Sequence, residues 1–300
     1  MNITAVVVLY NMSLSKSDTL QSILMNQLNN IKLTLKIWNN GPVKLEEKDI
    51  EVFFSFCSSL NIKVDIFQDM RNVSLSKIYN HFIKDIDYDY ITILDQDSAL
   101  SEEFFDNKLY ENADIIIPKI YCDINGKITQ THPYKAESGE KITTEGFINE
   151  KIETVMSGLT LSKSVTNRII EYRKYIFEER LGFYGIDCDF FKIFNTMEPS
   201  PRITVCCKNK IFHSFALLDP NESRSEFRQI ELYYFKLFSR IEYQKKGSIS
   251  TLWVILRDFI RMKNNFVTTY NMTMFVLRKC HPRSIFNIKN NYPTHRLKLI

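Results

Sequence analysis

Apolar positions change period several times along the first 120 residues, and each change marks an element. Residues 3–9 are a nearly continuous apolar, β-branched run, the pattern of a strand buried on both faces. Leu20, Ile23, Leu24 and Leu28 follow at helical spacing, behind the capping candidates Ser15 and Ser17. A second strand falls at 33–38. Ile50, Phe53, Phe54, Cys57 and Leu60 then mark a second helix, and 62–67 a third strand. Leu75, Ile78, Tyr79, Phe82, Ile83 and Ile86 give the clearest amphipathic helix. Strands at 91–94 and 115–117 follow. Strand–helix units with short connections predict a mostly parallel, Rossmann-like sheet with right-handed crossovers, flanked by helices.

The pattern loosens after Pro118. Asn125-Gly126 between 120–124 and 127–131 predicts a hairpin, a Ser/Gly/Thr/Glu-rich loop follows at about 136–150, and 151–215 mixes short strands with helices. From Glu222 the chain reads as helical. One stripe is Phe227, Ile230, Tyr234, Leu237 and Phe238; another is Ile249, Leu252, Trp253, Leu256, Phe259 and Ile260. The expected organisation is an α/β domain over 1–220, with halves at about 1–120 and 121–220, and a helical, basic C-terminal region over 221–300.

Charge is unevenly distributed. Residues 241–300 carry eleven Lys or Arg and two acids, a local +9 within an overall +4, which leaves −5 for the first 240 residues. A basic C-terminal region on a slightly acidic body suits an anionic partner. No nucleic-acid-binding signature accompanies the basic residues, which are spread among apolar stripes. An apolar face flanked by Arg257, Arg261 and Lys263 suits a helix lying on an anionic membrane, or else one packed on the body with its charges solvated. No run of some 18 apolar residues is present, so a membrane span is not expected. The first eight residues lack the basic start of a signal peptide. The six cysteines have no Cys-x-x-Cys pair and suit a reducing compartment. The expected location is therefore cytoplasmic, peripheral on the inner face of a bacterial inner membrane.

Ligands of open parallel sheets bind beyond the carboxyl ends of the strands. Polar groups stand there at Tyr10-Asn11, Asn39-Asn40-Gly41-Pro42, Asp69-Met70-Arg71-Asn72 and Asp95-Gln96-Asp97-Ser98. Asp-x-Asp occurs four times, at 85/87, 87/89, 95/97 and 187/189. The pairs between 85 and 89 suit a solvated turn. Asp95 and Asp97 follow an apolar strand to the ligand edge, where two carboxylates can hold a hard divalent cation.

Together these segments resemble glycosyltransferase family 2, with the GT-A fold, and most of all its bacterial rhamnosyltransferase-like branch. Val6-Val7-Val8-Leu9-Tyr10-Asn11 resembles the family's first strand and base-binding turn, and Ile37-Trp38-Asn39-Asn40-Gly41-Pro42 its strand followed by Asp-Asn-Gly-Ser. The run from Asn72 to Asn80 is similar to its Asn-x-Gly…Asn helix start. Asp95-Gln96-Asp97-Ser98, Ser157-Gly158, Gly185-Ile186-Asp187-Cys188-Asp189 and His213-Ser214 resemble, in order, its Asp-x-Asp, acceptor-side Ser-Gly, Glu-Asp-x-Asp and late histidine. The likeness covers about residues 1–240.

The resemblance implies a metal-dependent, inverting transferase of surface-polysaccharide synthesis, such as O-antigen or capsule. Its donor is a nucleoside-diphosphate sugar (dTDP-rhamnose or a UDP-hexose) and its acceptor a lipid-linked oligosaccharide. Tyr10, Asn11, Asn39, Asn72, Lys77 and Asp95 would bind the nucleotide sugar. Asp97 and His213 would hold Mn²⁺ or Mg²⁺. Ser157 and Gly158 would lie on the acceptor side, and Asp187 would be the general base, with Asp189 its rival. The sequence departs from the family where Asn39 replaces Asp, Ser74 replaces Gly and Ile186 stands where Glu is common. Locally, Asp187 and Asp189 also suit the first turn of a helix, stabilising its dipole. His213 also suits a structural role between two phenylalanines. A non-catalytic scaffold and a nucleic-acid-binding protein remain the alternative functions.

Overall fold

The computed structural model describes residues 1–106, 113–197, 202–214, 225–288 and 292–297, apart from the side chain of Asp85. The expected domain boundary near 220 and the first residues of the expected helical region at 222 lie outside the described residues, as does the side chain that opens the 85/87 pair.

β1 (Asn2–Leu9), β2 (Lys32–Asn39), β3 (Lys63–Gln68) and β4 (Tyr90–Asp95) alternate with α1 (Asp18–Leu24), α2 (Glu47–Ser59) and α3 (Leu75–Asp85). β5 (Ser98–Leu100), β6 (Ile115–Ile124) and β7 (Lys127–His132) follow, then four short strands: β8 (Tyr134–Lys135), β9 (Gly146–Ile148), β10 (Ile152–Glu153) and β11 (Thr160–Ser162). After α4 (Lys163–Arg173) and α5 (Ile186–Thr196) comes β12 (Val205–His213). The main sheet runs β13-β3-β2-β1-β4-β11-β6-β12-β5, where β13 (His295–Leu297) is the last described strand. The six strands forming its body, β3, β2, β1, β4, β6 and β12, run in one direction, and the short strands are antiparallel to them. This is the mixed α/β architecture that the pattern predicts, a large and mostly parallel sheet flanked by helices.

The apolar run of β1 is explained by two cores. Ile3, Ala5, Val7 and Leu9 face a layer with Leu20, Ile50 and Phe53, while Val6 and Val8 face the opposite layer with Trp38, Phe82 and Ile93. Register then aligns the strand ends: Leu9 lies opposite Asn39, Asn39 opposite Gln68, and Val8 opposite Asp95. The β6–β7 hairpin turns on Asn125 and Gly126, both at positive φ (55° and 81°), as a tight two-residue turn requires.

The C-terminal helices α6 (Glu226–Glu242), α7 (Ser248–Ile260) and α8 (Phe266–Arg278) pack into the layer that also holds Tyr79 and Phe177, through Tyr234, Leu237, Phe238, Ile255, Met272, Phe275 and Val276. The chain then crosses back over the amino-terminal half. β13 joins the open edge of β3, with Arg296 Nε donating to Asp65 Oδ1 at 2.6 Å. The region reads as helical in sequence because a three-residue strand has no local signature; the unpaired edge of β3 supplies its partner.

Candidate active site

β4 delivers Asp95 to the carboxyl edge, and the turn through Gln96 and Asp97 leads into β5. This turn is pinned on several sides. The backbone N–H of Asp95 donates to Ser157 Oγ at 3.2 Å. The carbonyl of Asp95 accepts from the Thr19 hydroxyl, and that of Gln96 from Ser17 Oγ at 2.7 Å. The Gln96 side chain accepts from the Tyr10 N–H at 2.7 Å, tying the turn to the end of β1. The backbone is thus fixed while both carboxylates stay partly open to solvent, Asp95 at 34% and Asp97 at 30%.

Antiparallel pairing of β5 with β12 sets His213 opposite Ser98. The imidazole lies between the two carboxylates, with Nε2 3.7 Å from Asp95 Oδ2 and Nδ1 3.3 Å from Asp97 Oδ1. Ser214 Oγ donates to Asp97. Beneath them runs a hydroxyl chain: Ser157 Oγ is 2.7 Å from Ser98 Oγ, which is 3.2 Å from His213 Nδ1.

Asp187 reaches the same space from the first turn of α5, which begins after Gly185 at φ 84°. Its carboxylate accepts from the Cys188 N–H at 2.8 Å, and burial raises its pKa above the ordinary carboxylate value. Partial withdrawal from water also pushes Asp95 up to about 6; His213 opposes this, and the charges of Asp97 and Asp187 add to it. The buried Tyr79 hydroxyl is held high by burial and then by Asp95 and Asp187. Asp95, Asp97 and Asp187 thus act on one space, with His213 standing between the first two, an acidic cluster that favours a cation.

Other expected site residues fall elsewhere in the structure. Asp189 is buried and bound by Arg173 at 2.8 Å and by the Tyr243 hydroxyl at 2.9 Å, so it has no free face for a substrate. Asn39, expected at the base, is 1% exposed. Its amide is used within its own loop, donating to Val43 O at 2.8 Å and Gln68 Oε1 at 3.1 Å and accepting from the Gly41 N–H at 3.1 Å. An amide has a donor that a carboxylate lacks, and here the donor closes the loop. Ser157 and Gly158 are buried beneath the site rather than on an acceptor surface. Asp89, expected in a solvated turn and not in the site, stands at the opposite end of the sheet, where it accepts from the Asn2 N–H at 2.7 Å.

The nucleotide side is otherwise assembled at the edge. Tyr10 presents a ring that is 46% exposed. Asn11, at φ 51°, donates its N–H to Gly41 O at 2.7 Å. Asn40, unassigned in the sequence reading, joins β2 to the turn before α3: Oδ1 accepts from the Val73 N–H at 2.8 Å, and Nδ2 donates to Asn72 Oδ1 at 3.2 Å. Sequence reasoning also missed a strap after α8. Arg283 donates to Asn72 Oδ1 at 3.0 Å and pairs with Glu231 at 2.7 Å. Lys77 donates to Phe286 O at 3.2 Å, and Arg71 to Asn287 O at 3.0 Å. Lys77 is thus held by the strap. Only Ser98 and Gln96 had a signal in sequence, their place within the Asp95–Ser98 quartet; Arg283 lies more than 200 residues from Asn72 and had none.

The donor set Asp95, Asp97 and His213 is of the hard-oxygen and imidazole kind that Mg²⁺ and Mn²⁺ accept. Among the described residues no three such groups are already arranged as a cage. For these three groups to hold a cation, the imidazole would turn from its present place between the two carboxylates.

No known family profile matches the chain, and no curated protein does. Solved structures do resemble it. S. aureus TarS is 14% identical over 81% of this chain and 40% of that one, with a TM-score of 0.49. TarS 1–349 in complex with UDP is 14% identical over 80% of this chain and 72% of that one, at 0.48. The same protein with UDP-GlcNAc is 12% identical over 81% and 67%, at 0.47. The likeness is of backbone course, so the functional reading rests on the site itself.

Proposed function

We propose that this chain is an inverting glycosyltransferase of the GT-A type. It moves a sugar from a nucleoside-diphosphate sugar, dTDP-rhamnose or a UDP-hexose, to a hydroxyl of a lipid-linked glycan in bacterial surface-polysaccharide synthesis. The observation that carries this reading is the convergence of Asp95, Asp97 and His213 at the sheet's ligand edge, with Asp187 facing them from a separate helix. Asp95, Asp97 and His213 would hold Mg²⁺ or Mn²⁺, which when bound offsets the charge of the departing diphosphate. Tyr10 and Asn11 receive the base, the role expected of Asn39 passing to them. Asp187 accepts the proton of the acceptor hydroxyl as its oxygen attacks the anomeric carbon; the bond to diphosphate breaks on the opposite face, and configuration inverts. Its half-buried place at the start of α5 suits that task, since a carboxylate with a raised pKa is a stronger base.

The test is a panel of nucleoside-diphosphate sugars incubated with the chain and Mn²⁺. One donor class should be hydrolysed slowly without acceptor, and chelation should stop it. Asp97→Ala should retain the fold but lose Mn²⁺-dependent affinity for the nucleoside diphosphate in calorimetry. Metal-dependent affinity unchanged in that variant removes Asp97 from the site, and no turnover across the panel overturns the donor reading.

A further inference from the structure

The α7–α8 hairpin buries one apolar face and leaves another bare. Ile255 and Met272 are inside the core at 1% and 0% exposure. Trp253, Leu256 and Ile260 lie on the other side of α7 and are 66%, 46% and 66% exposed. The turn continues the surface with Met262 at 92%, and α8 opens with Phe266 at 74% and Val267 at 65%. Six large apolar side chains running from the middle of α7 through the turn to the start of α8 exceed what scattered surface residues explain.

Charge decides what fits this surface. Arg257, Arg261 and Lys263 stand among these residues, and Arg261 and Lys263 are exposed. Between residues 243 and 288 the sequence has a single acid, Asp258, which is buried and already bonded to Arg257 and to the Tyr233 hydroxyl. The patch is therefore apolar at its centre, and its rim carries Arg261 and Lys263; Glu226, exposed at the start of α6, faces the same turn and accepts from Asn265 Nδ2 at 3.4 Å. A second copy of this chain apposed through the same patch would set these cations against one another. No helix among the described residues is long and apolar enough to cross a membrane, whereas a 13-residue helix lying flat needs only one apolar face.

We propose that the tip of the α7–α8 hairpin inserts into the interface of an anionic lipid bilayer, with Trp253, Leu256, Ile260, Met262, Phe266 and Val267 among the acyl chains and Arg261 and Lys263 at the headgroups. This docking is independent of the transfer reaction.

The full chain carries its own reporter. It has two tryptophans; Trp38 is fully buried in the sheet core and Trp253 is exposed. Titration with phosphatidylglycerol-containing vesicles should shift tryptophan emission to the blue and carry the chain into the vesicle pellet, while phosphatidylcholine vesicles should do neither. Raising salt from about 0.1 M to about 1 M, which shortens the screening length from about 10 to about 3 Å, should release it. Met262→Asp with Phe266→Asp should weaken vesicle binding at least tenfold. Arg261→Gln with Lys263→Gln should cost roughly fivefold for each charge removed. All four positions are exposed, so circular dichroism and nucleotide affinity should match the wild type. Trp253→Phe should keep the sedimentation and lose the emission shift. Equal binding to neutral vesicles, indifference of binding to the double substitutions, or a concentration-dependent dimer that Met262→Asp abolishes without any vesicle binding would each overturn the proposal.

Discussion

Asp187 and Asp189 stand two positions apart on one helix and have opposite surroundings. Asp189 has two strong partners and almost no exposure, while Asp187 is bonded by the backbone and thiol of Cys188 and by its own N–H, and its charge acts on Asp95. Their substitutions should therefore fail differently. Asp187→Asn should keep donor affinity and melting temperature but lower transfer by roughly 10²–10⁴-fold. Asp189→Asn leaves Arg173 buried without its anion and should cost about 3 kcal/mol of stability, read by urea unfolding, with transfer per folded molecule little changed. If Asp189→Asn is the variant that stops transfer at wild-type stability, the two roles are exchanged. His132 gives a residue-scale prediction about pH. Burial first, and then the neighbouring His213 and Lys141, hold it down to about 4. The fold thus favours neutral imidazole, and its contribution is fully present above the unfolded value of about 6.5. As pH falls from about 6.5 to 4 the unfolded chain gains a proton that the native state refuses, and about 2–3 kcal/mol is lost. His132→Gln should lose less stability than wild type between those pH values; equal losses would remove His132 from the acid response.

At the scale of elements, the site depends on a close contact that only glycine permits. Gly158 sits at φ 83°, and a Cβ there would come within 2.5 Å of Ile211 Cδ1 and Pro118 Cγ. Ile211 belongs to β12, which carries His213, and the neighbouring Ser157 supports Asp95. Gly158→Ala should cost about 2–4 kcal/mol through the crowded contact and the left-handed backbone, and should weaken metal-dependent nucleotide binding as β12 shifts. A variant within about 0.5 kcal/mol of wild type would show that the contact yields freely. This dependence also marks what could be read in sequence. The amino-terminal strands and helices were legible because both β1 and α3 bury continuous or periodic apolar sets within a few residues of chain. The Asp95–Ser98 quartet was legible for the same reason, since it follows an apolar strand directly. The roles of Ser157 and Asn39 were not, because each is decided by whether its hydrogen bonds turn inward. Those partners, Ser98 for one and Val43 with Gln68 for the other, are settled by how the chain closes on itself. The short strands β5, β11 and β13 carry no period of their own and exist through the edges they complete.

For the whole molecule, the basic C-terminal region is both surface and structure, and its cations divide accordingly. Arg283 and Arg296 pair inward, with Glu231 and Asp65, while Arg261 and Lys263 lie at the exposed hairpin tip. The local +9 read from sequence thus overstates the charge offered to a partner. Cutting the chain after Lys246 would remove Ile255, Met272, Phe275 and Val276 from the core, each buried to within 2% exposure. At about 1.5–3 kcal/mol for each side chain withdrawn from water, the loss is about 6–12 kcal/mol, comparable with the entire net stability of a typical domain. It would also uncover Tyr234, Leu237 and Phe238 on α6, leave the buried Glu231 without His281 and Arg283, and reopen the edge of β3. A chain ending at Lys246 should therefore aggregate or lack a cooperative thermal transition, and should bind no nucleotide. Substitutions at the exposed tip should leave both properties intact. A soluble truncated chain that melts cooperatively within a few degrees of the full one would mean that the α/β sheet stands alone and the C-terminal helices merely rest on it.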